Sequence, residues 1–225
     1  MQRKVNFVTG EYYHVFSRGV ERRNIFQNNR DCERFLASLY ILNQRKNFYL
    51  SDFLKRKGKQ IPDLYQENRE DALVSILAFS LMPNHFHILV REIREGGISK
   101  FMSRLLTTHS MYFNIKYKRS GPLFIHPFRS VHVDDDIHFR HLFSYIHLNC
   151  IDIIEPKWKE RGITNNKQAQ KFLLEYKYSS YPDLSDKNPD RIESGILDIK
   201  SLLDSIPRTT LRNIKIEDFE KWTIS

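Results

Sequence analysis

The sequence predicts an α+β fold: an antiparallel sheet of ferredoxin- or RRM-like type, backed by helices, with a charged insertion and a C-terminal helical extension. Three observations lead to this prediction. Short β-branched and aromatic runs are separated by amphipathic segments, and their order is β-α-β-β-α-β-α. Hydrophobic residues make up 40% of the 225, which is enough for a packed core without disulfide or metal support. No internal repeat divides the chain into equal units.

The first half of the chain supplies three strands and one long helix. Strand-like runs rich in apolar and aromatic residues lie at 12–18, 73–79 and 85–91. Capping residues at 29–31 precede a helical pattern that continues to about Leu42. Turn residues at 82–84 join the second and third strands as a hairpin. Residues 44–71 are polar and charged without a clear period, so we expect an insertion or a mobile loop with one short helix.

The second half continues with a long helix, an extended segment and another core helix. Helical patterns lie at 98–117, from the capping acids at 134–136 to about 151, at 196–206 and at 216–222. The extended segment 123–133 follows a Ser-Gly-Pro turn. We therefore expect one domain over residues 1–185, with the insertion at 44–71, and an extension over 186–225 without an assigned role.

Composition excludes several classes of protein. The two cysteines, Cys32 and Cys150, are too few for a disulfide framework or a cysteine-based zinc site. No run approaches the roughly 18 apolar residues that a membrane helix needs. The first residues lack the apolar core of a signal peptide, so we expect a cytoplasmic protein with no membrane partner.

The positive charge is concentrated in one part of the chain. The formal net charge is +9, and residues 96–133 contain no Asp or Glu. This acid-free segment carries aromatic residues among six cations, which are Lys100, Arg104, Lys116, Lys118, Arg119 and Arg129. Alternating cations and aromatics suit a nucleic-acid backbone with bases stacked beside it. A solvated basic helix face explains the same pattern, and the sequence leaves both interpretations open.

His85 and His87 form the first candidate site. Residues i and i+2 of a strand project from the same face, so both imidazoles can reach one divalent ion. Phe86 between them is expected to point to the opposite face, into the core. Taken alone, the pair is better explained as two half-buried histidines on a sheet.

Tyr145 and Asn149 form the second candidate site. They are four residues apart on a predicted helix, so they share a face. A tyrosine hydroxyl near a divalent ion can attack phosphorus, and the carbonyl oxygen of an asparagine is a suitable ligand for Mg²⁺ or Mn²⁺. For an isolated helical tyrosine, a core position with its hydroxyl at the rim is the commoner explanation.

Four strings together resemble the IS200/IS605-type tyrosine transposases, and more closely the REP-associated tyrosine transposases of bacteria. They occur in family order and are YHVFSRG (13–19), LMPNHFHILV (81–90), SGPLFIHPFRS (120–130) and YIHLNC (145–150). The resemblance covers roughly residues 10–185. The sequence departs from the family pattern at Cys150, where the family usually has proline, and in the long segment 44–71.

The resemblance implies a metal-dependent enzyme that nicks single-stranded DNA with a hairpin and transfers strands through a 5′-phosphotyrosine. It implies Tyr145 as the nucleophile, with His85, His87 and Asn149 as ligands of Mg²⁺ or Mn²⁺. It also implies a monomer or homodimer that is associated with the nucleoid when bound to DNA. We expect DNA contacts from four cations of the acid-free segment, namely Lys116, Lys118, Arg119 and Arg129.

The sequence alone leaves alternatives to this interpretation open. A domesticated relative could keep the fold and bind nucleic acid without cleaving it. A hydrolase of another type could use the His pair with a carboxylate from 134–136. Tyr112 and Tyr117 are rival nucleophiles, but the residues four positions after them are Lys116 and Gly121 rather than asparagine.

Overall fold

The fold is built on a four-stranded antiparallel sheet, as the sequence predicts. The computed structural model describes residues 6–184, 191–206 and 216. The strands are β1 (Tyr12–Arg18), β2 (Val74–Met82), β3 (His85–Glu92) and β4 (Arg129–Val133). Their order in the sheet is β2-β3-β1-β4, and every neighbouring pair is antiparallel. This order is that of two interleaved split β-α-β units, which confirms the predicted α+β class.

Seven α-helices surround the sheet in the described part of the chain. They are α1 (Asn29–Ile41), α2 (Leu50–Lys55), α3 (Gly97–Lys116), α4 (Asp136–Leu148), α5 (Trp158–Arg161), α6 (Asn166–Glu175) and α7 (Ile199–Ser205). Side-chain caps begin both helices for which the sequence predicts them, but the first cap is Asn28, one residue before the predicted 29–31. Asn28 accepts from the backbone N–H of Asp31, and Asp135 accepts from that of His138. None of these helices is both long and apolar enough to cross a membrane.

One face of the sheet is covered by α1 and α3. Alternation along the strands sends Tyr13 and Val15 of β1, and Phe86 and Ile88 of β3, into this layer. Phe86 is fully buried there, as its position between the two histidines predicts. The intervening residues of both strands therefore face the other side of the sheet.

The opposite face is covered mainly by α4, which packs against β2 and β3. Phe143 and Ile146 of α4 contact a second core that contains Leu89 of β3. A bulge between Ile76 and Ala78 changes the side-chain alternation of β2 along its length. Because α4 crosses this face, residues on its exposed edge lie near the start of β3.

The insertion 44–71 contains the one short α-helix expected there, α2, and a 3₁₀ turn at Pro62–Gln66. Leu50, Phe53 and Leu64 pack with residues at the end of α1 in a small core of their own. Arg104 of α3 donates to backbone carbonyls at the start of the insertion. These contacts attach the charged segment to both helices of the first face.

The C-terminal segment covers the free edge of β2. The N–H of Asp198 donates to the carbonyl of Ile76 over 2.8 Å, and Leu202 of α7 is buried in the second core. Pairing of an exposed edge by a nearby segment prevents it from recruiting another strand. The predicted helix at 196–206 corresponds to a 3₁₀ turn at Ile192–Ile196 followed by α7. The predicted helix at 216–222 lies outside the described residues except for Ile216.

Candidate active site

A cleft of about 400 Å³ opens where β1 ends and β3 begins, beside β4 and the segment that follows α4. It brings together the four residues proposed for metal binding and catalysis, which are His85, His87, Tyr145 and Asn149. Arg129 of β4 also lines the cleft. The other three expected DNA contacts, Lys116, Lys118 and Arg119, do not line it.

His85 is held so that one ring nitrogen faces the cleft. Its Nδ1 lies 2.6 Å from Oδ1 of Asn84, so Nδ1–H donates and Nε2 keeps its lone pair. The amide Nδ2 of Asn149 lies 3.2 Å from that Nε2. Burial lowers the pKa of His85 to about 4, with further lowering by Arg18 and Lys159. The imidazole is therefore neutral at pH 7, which is the form that binds metal.

His87 is held in the same way by a third histidine. Its Nδ1 lies 2.8 Å from Nε2 of His14, which is on the neighbouring strand β1. Nε2 of His87 is buried and has no hydrogen-bond partner among the described residues. Burial holds the pKa of His87 well below 6.5, and the nearby His14 and His85 lower it further. A buried imidazole nitrogen without a partner is costly unless something binds it.

These donors fit one small divalent cation. The two Nε2 atoms are oriented by Asn84 and His14, in the manner in which outer partners orient metal-ligating histidines. Among residues 6–184, 191–206 and 216, no group of three or more His, Cys, Asp or Glu side chains could hold a metal. The amide of Asn149 presents its NH₂ group to Nε2 of His85 and its oxygen to Lys159 over 2.6 Å, so the amide must turn over before its oxygen can serve as a third donor.

Tyr145 lies against the histidine pair. Its ring centroid is 5.4 Å from that of His87, with the planes at 86°, and 6.3 Å from that of His14. The side chain is half-buried, and no hydrogen bond joins its hydroxyl to another described residue. The backbone N–H of Asn149 donates to the carbonyl of Tyr145, so helical geometry continues between them. The predicted shared face of Tyr145 and Asn149 is thus present in the fold.

Sequence reasoning missed three residues that shape the cleft. His14 and Asn84 orient the two histidines, and Lys159 contacts Asn149. Alternation along 12–18 places His14 on the same face as Phe16, whose Cα partner in β3 is His87, so the strand pairing contained a signal for it. Asn84 stands directly before the His pair in the turn. Lys159 has no sequence signal, because its position depends on how the chain folds after α4.

The rival tyrosines belong to a separate polar cluster. Asp31 is fully buried, and its carboxylate accepts from the hydroxyls of Tyr112 over 2.8 Å and Tyr117 over 2.7 Å. The ammonium group of Lys116 lies 2.5 Å from the same carboxylate. We call Asp31, Tyr112, Lys116 and Tyr117 the Asp31 cluster. Arg119 donates to the carbonyls of Gly121 and Pro122, so it holds the turn after α3.

The remaining histidines and acids do not complete a different metal site. His147 is buried and contacts the Phe143 carbonyl and the Ser180 hydroxyl, so its role is structural. Nε2 of His132 lies 2.8 Å from Oε2 of Glu11. The acids at 134–136 stand at the start of α4, where Asp135 caps the helix and Asp134 contacts His138, and none lines the cleft. The carboxylates at 134–136 are therefore not available to the alternative hydrolase, and the acid that lines the cleft is Asp152.

Of the comparisons with known proteins, the one with family models agrees with the motifs. A family model described as an IS200-like transposase matches residues 7–149. One solved structure, described as a REP-associated tyrosine transposase bound to a REP hairpin, shares 11% identity and has a TM-score of 0.48, covering 81% of this chain and 84% of that one. A comparison with curated proteins finds no match. The family match includes all four predicted catalytic and metal residues and ends before Lys159.

Proposed function

This chain belongs to the IS200-like transposase family, and from that membership we propose that it nicks single-stranded DNA and transfers strands through a 5′-phosphotyrosine at Tyr145. The observation that carries the proposal is the position of Tyr145, whose ring lies edge-on against His87 inside the cleft. A nucleophilic tyrosine beside two neutral imidazoles is the combination that metal-assisted phosphoryl transfer requires.

The walls of the cleft suit a DNA backbone. Arg18, Arg129 and Lys159 line it, and Asp152 is the one acid among the described lining residues. Excess positive charge in a cleft attracts phosphates and raises their local concentration. We propose single-stranded DNA next to a hairpin as the substrate, on the basis of the four motif strings.

In the proposed reaction, the Tyr145 oxygen forms a bond to phosphorus while the bond from phosphorus to the 3′-oxygen breaks. The phenol proton passes to solvent, and the departing 3′-oxygen takes up a proton from solvent. A divalent cation held by His85, His87 and Asn149 would neutralise charge on the attacked phosphate. Because the phosphotyrosine keeps a phosphodiester linkage, a second 3′-hydroxyl can reverse the step and join strands without ATP.

The test is adduct formation on single-stranded oligonucleotides from the flanks of this protein's own gene, folded as hairpins, with and without Mn²⁺. We expect a covalent protein–DNA band from the natural chain that Tyr145→Phe reduces by at least roughly a thousandfold, because the nucleophile is gone. DNA binding by that variant should be unchanged.

Tyr112→Phe is the matched control, since it removes a tyrosine hydroxyl outside the cleft. It should form the adduct at a rate within about twofold of the natural chain. An adduct that persists in Tyr145→Phe would show that another residue is the nucleophile. Binding of the hairpin with no adduct from the natural chain would instead identify a non-catalytic nucleic-acid-binding protein.

A further inference from the structure

Lys159 is a cation that lines the cleft, and it lies beyond the segment that the family model matches. Its Nζ lies 2.6 Å from Oδ1 of Asn149 and 3.6 Å from Oδ2 of Asp152. The same ammonium group lies 4.7 Å from the ring centroid of Tyr145. No other lysine lines the cleft among the described residues.

The local fold fixes this position. Lys159 is the second residue of α5, and Trp158 immediately before it is buried in the second core. Lys157 takes the left-handed conformation at the helix start, with φ of 71°, which turns the chain sharply into α5. The buried Trp158 and the turn at Lys157 lie directly before Lys159 and fix its backbone, from which the side chain reaches Asn149.

The contacts of Lys159 leave it able to bind an anion. An ammonium group has three donors, and Asn149 is the one short hydrogen-bond acceptor that the described residues provide. Asp152 is farther away, and the Lys159 side chain remains 38% exposed. The ammonium group of Lys159 lies beside Tyr145, and a phosphate can reach it from solvent. This position suits substrate binding better than packing.

We propose that the ammonium group of Lys159 binds a non-bridging oxygen of the phosphate that Tyr145 attacks. The proposal rests on the proposed function, because it assigns the contact to that same phosphate. A phosphate approached by the Tyr145 hydroxyl must lie at the edge of the Tyr145 ring, and Lys159 already lies against that ring. This contact would add to the positive charge of Arg18 and Arg129, which also line the cleft.

The first experiment measures DNA binding with Tyr145→Phe as background, so that no cleavage occurs. Lys159→Met should weaken binding of the hairpin oligonucleotide by roughly tenfold, as expected for loss of one charge-assisted hydrogen bond. The slope of log affinity against log salt should become shallower by about 0.7, the value for one phosphate contact on a single strand. Lys159→Arg should restore the slope.

Lys171→Met is the matched control, because Lys171 is 75% exposed on α6 and pairs only loosely with Glu175 at 3.9 Å. It should change neither affinity nor slope. If Lys159→Met matches Lys171→Met in both, the phosphate contact does not exist.

The second experiment measures Mn²⁺ binding without DNA, by calorimetry. Lys159→Met should bind Mn²⁺ at least as tightly as the natural chain, because the change removes a cation from Asn149 Oδ1. Weaker Mn²⁺ binding would show that Lys159 serves only to position Asn149, and would overturn the proposal.

Failure of this inference is distinguishable from failure of the proposed function. If the natural chain forms the Tyr145 adduct and Lys159→Met forms it at the same rate, the Lys159 contact is wrong while the function stands. If the natural chain forms no adduct, the proposed reaction is wrong. A salt slope lowered by Lys159→Met in that case would still support a phosphate contact at this lysine.

Discussion

Two polar clusters in this molecule contain a tyrosine, a lysine and a buried titratable group, and they differ in how completely those groups are paired. In the Asp31 cluster, the carboxylate accepts from Lys116, Tyr112 and Tyr117. Burial alone would raise the pKa of Asp31, but these hydrogen bonds and that of the Gln27 N–H bring it below its usual value. The buried carboxylate of Asp31 is therefore fully paired with groups of the protein itself.

The cleft is the opposite case. Nε2 of His87 is buried without a hydrogen-bond partner among the described residues. The half-buried Tyr145 has no hydrogen bond from its hydroxyl to another described residue. Folded chains rarely leave buried polar atoms unpaired unless a ligand or a reaction uses them. Other buried atoms of the described residues are also unpaired, such as Nε1 of Trp158, so the feature that distinguishes Tyr145 from the tyrosines that join two helices is its place in the cleft.

Removing Asp31 should have the largest effect on stability and none on the chemistry. Asp31→Ala leaves Lys116 beside a pocket without its counter-charge, so we expect the free energy of unfolding to fall by about 3 kcal/mol. Urea denaturation measures this. Asp52→Ala, which breaks an exposed pair with Lys55, is the control and should cost less than about 0.5 kcal/mol.

The same variant tests whether the two clusters are independent. Adduct formation per folded molecule of Asp31→Ala should stay within about twofold of the natural chain, since distant sites act additively. A large loss of adduct in molecules that remain folded would mean that the Asp31 cluster contributes to the reaction, and the contrast between the clusters would be lost.

His14→Ala should have a smaller effect, confined to the cleft. Without His14, the Nδ1 of His87 loses its partner and the ring loses its orientation. Mn²⁺ affinity should fall by about 10- to 100-fold, the usual cost of deleting an outer partner of a metal-ligating histidine. Calorimetric titration measures it, with His132→Ala as an exposed control. Unchanged Mn²⁺ affinity in His14→Ala would remove His14 from the site.

The Asp31 cluster and the buried histidines should also respond to acid in different pH ranges. Burial lowers the pKa values of four histidines to about 3 or 4, and these are His14, His85, His109 and His147. Unfolded histidines take up protons below about pH 6.5, so the free energy of unfolding should fall as pH drops from 6.5 toward 4. Asp183, whose pKa burial raises to about 7, opposes this trend as a single group.

Asp31 should act only at lower pH. Its pKa lies below 3.8 in the folded chain, so its contribution is present above that value and is lost as the carboxylate protonates below it. Urea midpoints from pH 8 to pH 3 test both ranges. In Asp31→Ala, the loss of stability below about pH 3.8 should be smaller than in the natural chain, since Asp134 and Asp198 still contribute there, and the loss between pH 6.5 and 4 should be unchanged. A variant that loses both parts equally would contradict the assignment.

Much of the fold could be predicted because its signals are local. Alternation over residues 12–18 gave β1 with the bounds that the structure has, and the 3.6-residue period gave α3 to within one residue at each end. The second strand extends three residues beyond its predicted end, to Met82, because pairing with β3 continues up to the two-residue turn. No local pattern identified α5 and α6.

The candidate site also divides into features with a local sequence signal and features that depend on tertiary contacts. Strand and helix periods placed His85 with His87, and Tyr145 with Asn149, but they could not show that the two pairs meet. That depends on α4 crossing the second face of the sheet. Lys159 approaches Asn149 only through the turn at Lys157, which no spacing rule contains.

The acid-free segment shows what charge counting leaves undetermined. Four of its six cations donate to acceptors within the chain, and these are Lys100, Arg104, Lys116 and Arg119. Arg129 is the member that lines the cleft. Charge along the sequence therefore located a basic region, while the pairing of each cation was decided by tertiary contacts. The expected DNA contacts at Lys116, Lys118 and Arg119 stay predictions.

The most direct test of the central claim is to find which residue carries the DNA. The natural chain is incubated with the hairpin oligonucleotide and Mn²⁺, the DNA is trimmed with nuclease, and the peptides are sequenced by mass spectrometry. The account predicts a nucleotide attached to Tyr145 through a 5′-phosphate. A nucleotide on Tyr112 or Tyr117, whose hydroxyls bind Asp31, would contradict it.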